Sequence, residues 1–327
     1  MTTSVRIVAN ILMAILLLFL ASRYLVFWHD WPDLSLSYAL LTGGDTDGEP
    51  GSSWQGIMLI LAYVVIFLGI LWQAWRAGPQ SLMIESERYA GWAAWVVRFA
   101  FWGVFLVGLV DTAISALRIE NVLGSLIGEE LNSKLVQSKF RGLYIHYPLL
   151  AAAAVIAWFT RNLSMIWLAL LVVIAEFGIV ISRFIFSYEQ AYMGDLVRFW
   201  YAALFLFASA YTLVEEGHVR VDVLYAGMRE RSKNWVNTLG SLLLGIPLCF
   251  TILMLGMESR QASLSSPIIN YEISQSGYGL FVKYLMAGFL IIFAVSMAMQ
   301  FISYFLSSSA ALLGDKQAPE AKEAGGH

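Results

Sequence analysis

Long apolar runs broken by short polar joints dominate this chain. A helix that crosses lipid needs roughly 20 predominantly apolar residues, because hydrocarbon offers no partner to an unsatisfied backbone N–H or C=O. Eight runs meet that requirement, at about 5–27, 54–75, 95–117, 143–160, 163–185, 196–215, 235–257 and 281–306. Arg98 and Asp111 interrupt the third, and only the turn around Thr160, Arg161 and Asn162 separates the fourth from the fifth. The first run also reads as a signal peptide, with Arg6 as its n-region and small residues near Ala21 and Ser22 as a cleavage site. Its apolar stretch continues to Trp28, however, beyond an h-region of roughly 7–15 residues, so a retained helix is expected. Trp28, Trp54, Trp75, Trp92 and Trp235 stand at span ends, where an amphipathic ring suits the headgroup region. Pro247, after Gly245, is expected to kink the seventh run. The pattern predicts an all-α integral membrane protein of about eight transmembrane helices.

Composition narrows the function classes. Hydrophobic residues make up 59 % of the 327 positions and charged residues 13 %, about half the quarter expected of a soluble domain. A net charge of −3 gives no basic field for nucleic acid. The single cysteine, Cys249, lies in an apolar run and is read as a packing residue. Lys and Arg set orientation: Arg220, Arg229, Arg231 and Lys233 follow the sixth run and place that loop in the cytoplasm. An even number of spans then puts both termini there. The acidic stretch 42–53 fits the opposite side. The stretch 118–142 fits poorly, since Arg118, Lys134, Lys139 and Arg141 would lie outside beside Glu120, Glu129 and Glu130. The last residues, 309–327, read as a disordered cytoplasmic tail.

Charges inside spans are costly and count as functional candidates. They are Arg98 and Asp111 in the third run, Glu176 and Arg183 in the fifth, and His146 near the start of the fourth. Two readings stay open: pairing between helices or snorkelling, and an ion or proton relay. Embedded haem needs paired axial ligands, yet of four His only His146 is near membrane depth. No HExxH, CxxC, GxSxG, Walker or GxGxxG pattern appears. No catalytic residue, cofactor or metal is therefore expected, and the residues outline neither a convergent polar pocket nor a pair of broken helices.

One charged cluster stands out, LVEEGHVRVDVLYAG at 213–227. Gly217 lets the sixth helix stop and turn. If a helix resumes in the interface, Glu216 with Arg220 and His218 with Asp222 are i,i+4 pairs; a plain charged turn is the alternative. The segment EGHVRVDVLY resembles the GHIRVD-type signature of the small permease subunit of TRAP transporters, the tripartite ATP-independent periplasmic systems of bacteria. Two further markers of that family are matched. Arg183–Phe184 closes the fifth run, and GDLVRFWY (194–201) opens the sixth, placing Asp195 and Arg198 where the family has an acid and an Arg. Gly194 departs from the paired acids usual there.

The resemblance covers 163–308 as a four-helix small-permease bundle and leaves 1–162 as an extension of about four helices. SRYLVF (22–27) and SRFIF (182–186) end the first helix of each set, which suggests a four-plus-four duplication. What the resemblance implies is a scaffold in the bacterial inner membrane. Its partners would be a large elevator-type permease subunit, a periplasmic binding protein that delivers an organic acid, and membrane lipids, with sodium as the expected coupling ion. Arg183, Asp195 and Arg198 would fix the outer ends of the fifth and sixth helices. Glu216, Gly217, His218, Arg220 and Asp222 would organise the cytoplasmic turn. The alternatives are a self-contained carrier or membrane enzyme using Arg98, Asp111 and Glu176, and a simple membrane anchor.

Overall fold

The computed structural model describes residues 2–42, 53–76, 81–161, 163–164, 166–214, 225, 227–274 and 279–314. Its elements are helices: α1 Thr2–His29, α2 Leu34–Thr42, α3 Ser53–Arg76, α4 Leu82–Ile119, α5 Leu123–Ile127, α6 Glu129–Leu135, α7 Ser138–Phe159, α8 Ile166–Phe186, α9 Ala191–Val214, α10 Glu230–Gly256, α11 Ser265–Ile269 and α12 Lys283–Leu313. Among the described residues there is no strand. Seven helices there are long and apolar enough to cross a membrane: α1, α3, α4, α7, α8, α10 and α12. The sixth expected run falls on α9, whose 24 residues rise about 36 Å at 1.5 Å each, against a hydrocarbon core of about 30 Å. The protein is an all-α, multi-pass membrane protein.

Two helices begin well before the apolar pattern does. α4 has 38 residues and starts at Leu82 rather than near 95. Its first turns hold Glu85, Ser86, Glu87 and Arg88, and polar partners rather than lipid stabilise them. Ser81 Oγ accepts the Met83 N–H at 3.1 Å, and Arg6 of α1 pairs with Glu85 at 2.5 Å while 1 % exposed. Tyr89 donates to Asn10 Oδ1 at 2.7 Å, and Ser86 and Ser303 exchange bonds with each other's carbonyls at 2.8 and 2.9 Å. Arg6, read above as a possible n-region, is thus a buried packing group. α7 begins at Ser138, inside the stretch read as an outer loop.

The chain packs as two compact units. One takes residues from Met1–Gly91, Val219–Thr251 and Ala298–His327, the other from Trp92–His218 and Ile252–Met297. In the second, Val97, Phe101, Val104 and Val107 of α4 pack with Phe199, Trp200, Ala203 and Phe207 of α9 and Phe289 of α12. The indole N–H of Trp200 donates to Val104 O at 3.2 Å. Gly108 permits this approach, since a Cβ there would lie 2.5 Å from Trp200 Nε1.

Ahead of Pro247, where a kink is expected, lies a π-turn over Ser241–Gly245, and a second π-turn over Gly142–His146 precedes Pro148. Proline lacks an N–H and its ring crowds the carbonyl four residues back. In each case the preceding residue donates five residues back, Tyr147 to Gly142 O and Ile246 to Ser241 O, which widens the helix where that carbonyl must move aside. The two SR-aromatic ends, α1 and α8, close alike. Asp30 and Ser187 adopt φ of 52° and 49°, and the next N–H bonds six residues back, Trp31 to Leu25 O and Tyr188 to Ser182 O. The left-handed residue lies eight positions after Ser22 but five after Ser182.

Candidate functional site

The second unit encloses a polar cluster that sequence reasoning did not assemble. α4 supplies Asp111, α7 supplies Arg141 and His146, and the entry to α12 supplies Phe281 and Tyr284; Asp111, Arg141 and His146 are 0 % exposed. Asp111 Oδ1 pairs with Arg141 Nε at 2.5 Å and with His146 Nε2 at 2.9 Å. Its Oδ2 accepts the Phe281 N–H at 2.8 Å. Arg141 Nη2 donates to Asp111 O at 2.8 Å and Ser115 Oγ at 3.0 Å, and the guanidinium lies 4.6 Å from the Phe281 ring centre. Because an ionised carboxylate only accepts, His146 donates its Nε2–H to Asp111, and its Nδ1 shares a hydrogen bond with the Tyr284 hydroxyl at 2.8 Å. A buried charge is tolerated where it is paired and hydrogen-bonded. Both oxygens of Asp111 are so engaged, which makes the cluster a pin between α4, α7 and α12 rather than an open ion seat.

Of the two readings left open for the charges in spans, pairing between helices is the one found for Asp111 and His146, and one expectation is corrected: Arg141 is no exposed cation of an outer loop. The available signal was electrostatic: Asp111 in a span required a cation, and Arg141 with His146 stand in the first turns of the next membrane helix. Gly142 is part of the same construction. A Cβ there would sit 2.6 Å from the Tyr271 ring and 3.1 Å from Tyr284 Oη.

The expected site residues separate into three groups. Asp195 is 8 % exposed and accepts Arg198 Nη1 at 3.3 Å, Ser274 Oγ at 2.9 Å and the Leu280 N–H at 3.1 Å. It ties the start of α9 to the segment leading into α12. Arg183 stands apart from that pair, with Glu189 at 3.4 Å. Outside the membrane helices, Glu120 accepts from Tyr188 at 2.6 Å and its carboxylate raises the phenol above its usual range. Glu216, Gly217, His218, Arg220 and Asp222 lie outside the described residues. Replacing Asp195 by Ala is expected to orphan the Leu280 amide at a cost of about 1–3 kcal/mol. Hydrogen exchange at Leu280 should quicken by at least about tenfold; an unchanged rate would contradict the tie.

An open cleft of about 610 Å³ lies beside Asp195, lined also by Glu189, Arg198, Ser274 and Lys283. Its charges are internally matched: Lys283 pairs with Glu272 at 2.5 Å, Arg198 with Asp195 and Glu189 with Arg183. No net field selects one sign of ligand.

Arg98, Asp111 and Glu176 do not converge: no hydrogen bond or ion pair among the described residues joins any two of them. Arg98 reaches Ala157 O at 3.4 Å, Asp111 is sealed in the pin, and Glu176 is exposed at the middle of α8. An acid at a helix centre in lipid costs about 2.5–3.5 kcal/mol on insertion scales.

These helices can now be set against known proteins. Residues 170–310, from within α8 to the end region of α12, match the family model of tripartite ATP-independent periplasmic transporters, DctQ component. This segment is a DctQ domain. DctQ proteins are the small permease component of TRAP systems and work with a large permease and a periplasmic binding protein. No curated protein and no solved structure matches the chain. Within the second unit, the pin attaches the DctQ residues Phe281 and Tyr284 to Asp111, Arg141 and His146, all of which precede the domain.

Proposed function

We propose that this chain is the scaffold subunit of a secondary, sodium-coupled TRAP transporter of the bacterial inner membrane. It supports a large elevator-type permease that imports an organic acid delivered by a periplasmic binding protein. The observation that carries this reading is the DctQ match over 170–310. The closed pin supports it, because a carboxylate with both oxygens engaged serves architecture better than transport. In this reading the chain is no enzyme, both termini are cytoplasmic, and the boundaries fall at 1–162, 163–308 and 309–327, the last corrected by α12, which runs on to Leu313. Arg183, Asp195 and Arg198 hold the outer ends of α8 and α9. Glu216, Gly217, His218, Arg220 and Asp222 shape the cytoplasmic turn.

Purification from native membranes in mild detergent, with mass spectrometry of what stays bound, tests the reading. A stoichiometric large multi-span permease is the expected companion. A homogeneous protein that transports without partners would favour the self-contained carrier and send mutagenesis to Arg98, Asp111 and Glu176. Within the complex, the double replacement of Arg220 and Asp222 by Ala is expected to lower co-purification of the large subunit several-fold. Wild-type assembly in that variant would remove the turn from the interface.

A further inference from the structure

α8 is the least buried of the long helices, with Leu168 its one buried residue. One stripe, Leu168, Leu171, Val172 and Ala175, packs on its own unit. The opposite stripe, Leu170, Val173, Phe177, Val180 and Phe184, is exposed at 42–79 %, and its spacing of three and four residues makes it one continuous face. On the border of that face, at the midpoint of the 21-residue helix, stands Glu176, exposed and without a partner among the described residues. The centre of α8 is about 15 Å from either end, at 1.5 Å per residue, so this side chain cannot reach the headgroups as Arg183 can.

An apolar face alone would be satisfied by lipid. A carboxylate at its mid-depth is not, since lipid offers neither donor nor countercharge. A second copy of the chain meeting this face across a twofold axis would bring two carboxylates together, so like-charge repulsion disfavours it. We propose that this face of α8 docks a transmembrane helix of the large permease subunit, and that this helix presents a cation or a hydrogen-bond donor to Glu176 at mid-membrane depth. The assignment rests on the small-subunit reading and names the surface and the partner chemistry.

The test compares Glu176→Leu with the wild type in native membranes, reading the large permease that co-purifies. Because Glu176 has no partner among the described residues, the variant subunit should accumulate and melt as the wild type does, while the large permease recovered with it falls at least about tenfold. Equal recovery from Glu176→Leu and wild type would overturn the docking face and leave the small-subunit reading standing. If the wild-type chain itself recovers no large permease, that reading fails and the docking face with it. A second measurement uses Phe177→Cys, with Cys249 buried and out of reach. Cross-linking of Phe177→Cys to the large permease is expected. A disulfide to a second copy, or free labelling by a lipid-soluble maleimide in the intact complex, would overturn the proposal.

Discussion

Replacing Asp111 by Leu should destabilise the purified protein by about 3–5 kcal/mol, the cost of leaving a buried cation without its counter-ion. Arg141 has no route to water at 0 % exposure, and His146 and the Phe281 N–H lose an acceptor in the same step. The double replacement Asp111→Leu with Arg141→Met removes both charges and should recover most of that loss, since a buried pair exchanged for apolar side chains of similar volume is often neutral. Thermal unfolding in detergent, followed by tryptophan fluorescence, reads both. If Asp111→Leu melts with the wild type, the pin does not hold the helices.

A second large effect is expected at Gly142, and it carries a change of sign. In an exposed helix Gly→Ala gains up to about 1 kcal/mol. Here the new methyl would lie 2.6 and 2.7 Å from ring carbons of Tyr271 and 3.1 Å from the Tyr284 hydroxyl. Neither ring can retreat easily: their centres are 5.2 Å apart, and Tyr271 is held by Tyr147 through hydroxyls 3.0 Å apart. Overpacking of this kind costs about 1–3 kcal/mol, so Gly142→Ala should destabilise the wild type. In a Tyr271→Ala background the space opens, and the same substitution should become stabilising. Equal effects in both backgrounds would show that the ring does not set the need for glycine.

Hydropathy made the helices legible because lipid imposes one rule on every span. It failed where another rule held. The first turns of α4 carry Glu85, Ser86 and Arg88, residues an apolar window rejects, and they are helical because Arg6, Ser303 and Asn10 meet that stretch. Arg141 was assigned to an outer loop for the same reason: a polar composition over 118–142 gives no sign that one cation turns inward. Pro247 gave a usable signal and Pro148 offered the same one, since each marks a carbonyl that must move aside. The choice of Arg183, Asp195 and Arg198 rests on resemblance alone. No spacing in the sequence foretells that Asp195 accepts from Ser274 and Leu280 as well as from Arg198, because those partners come from 79 and 85 residues away.

The pin also bears on how such a chain can be shortened. Phe281 and Tyr284 lie within the DctQ segment, yet their hydrogen-bond partners, Asp111 and His146, come from helices that precede it. Trp200 likewise donates to Val104. A relative built from the last four helices alone would have three polar groups to re-house, and its entry into the final helix would have to be closed by residues this chain does not use for that purpose.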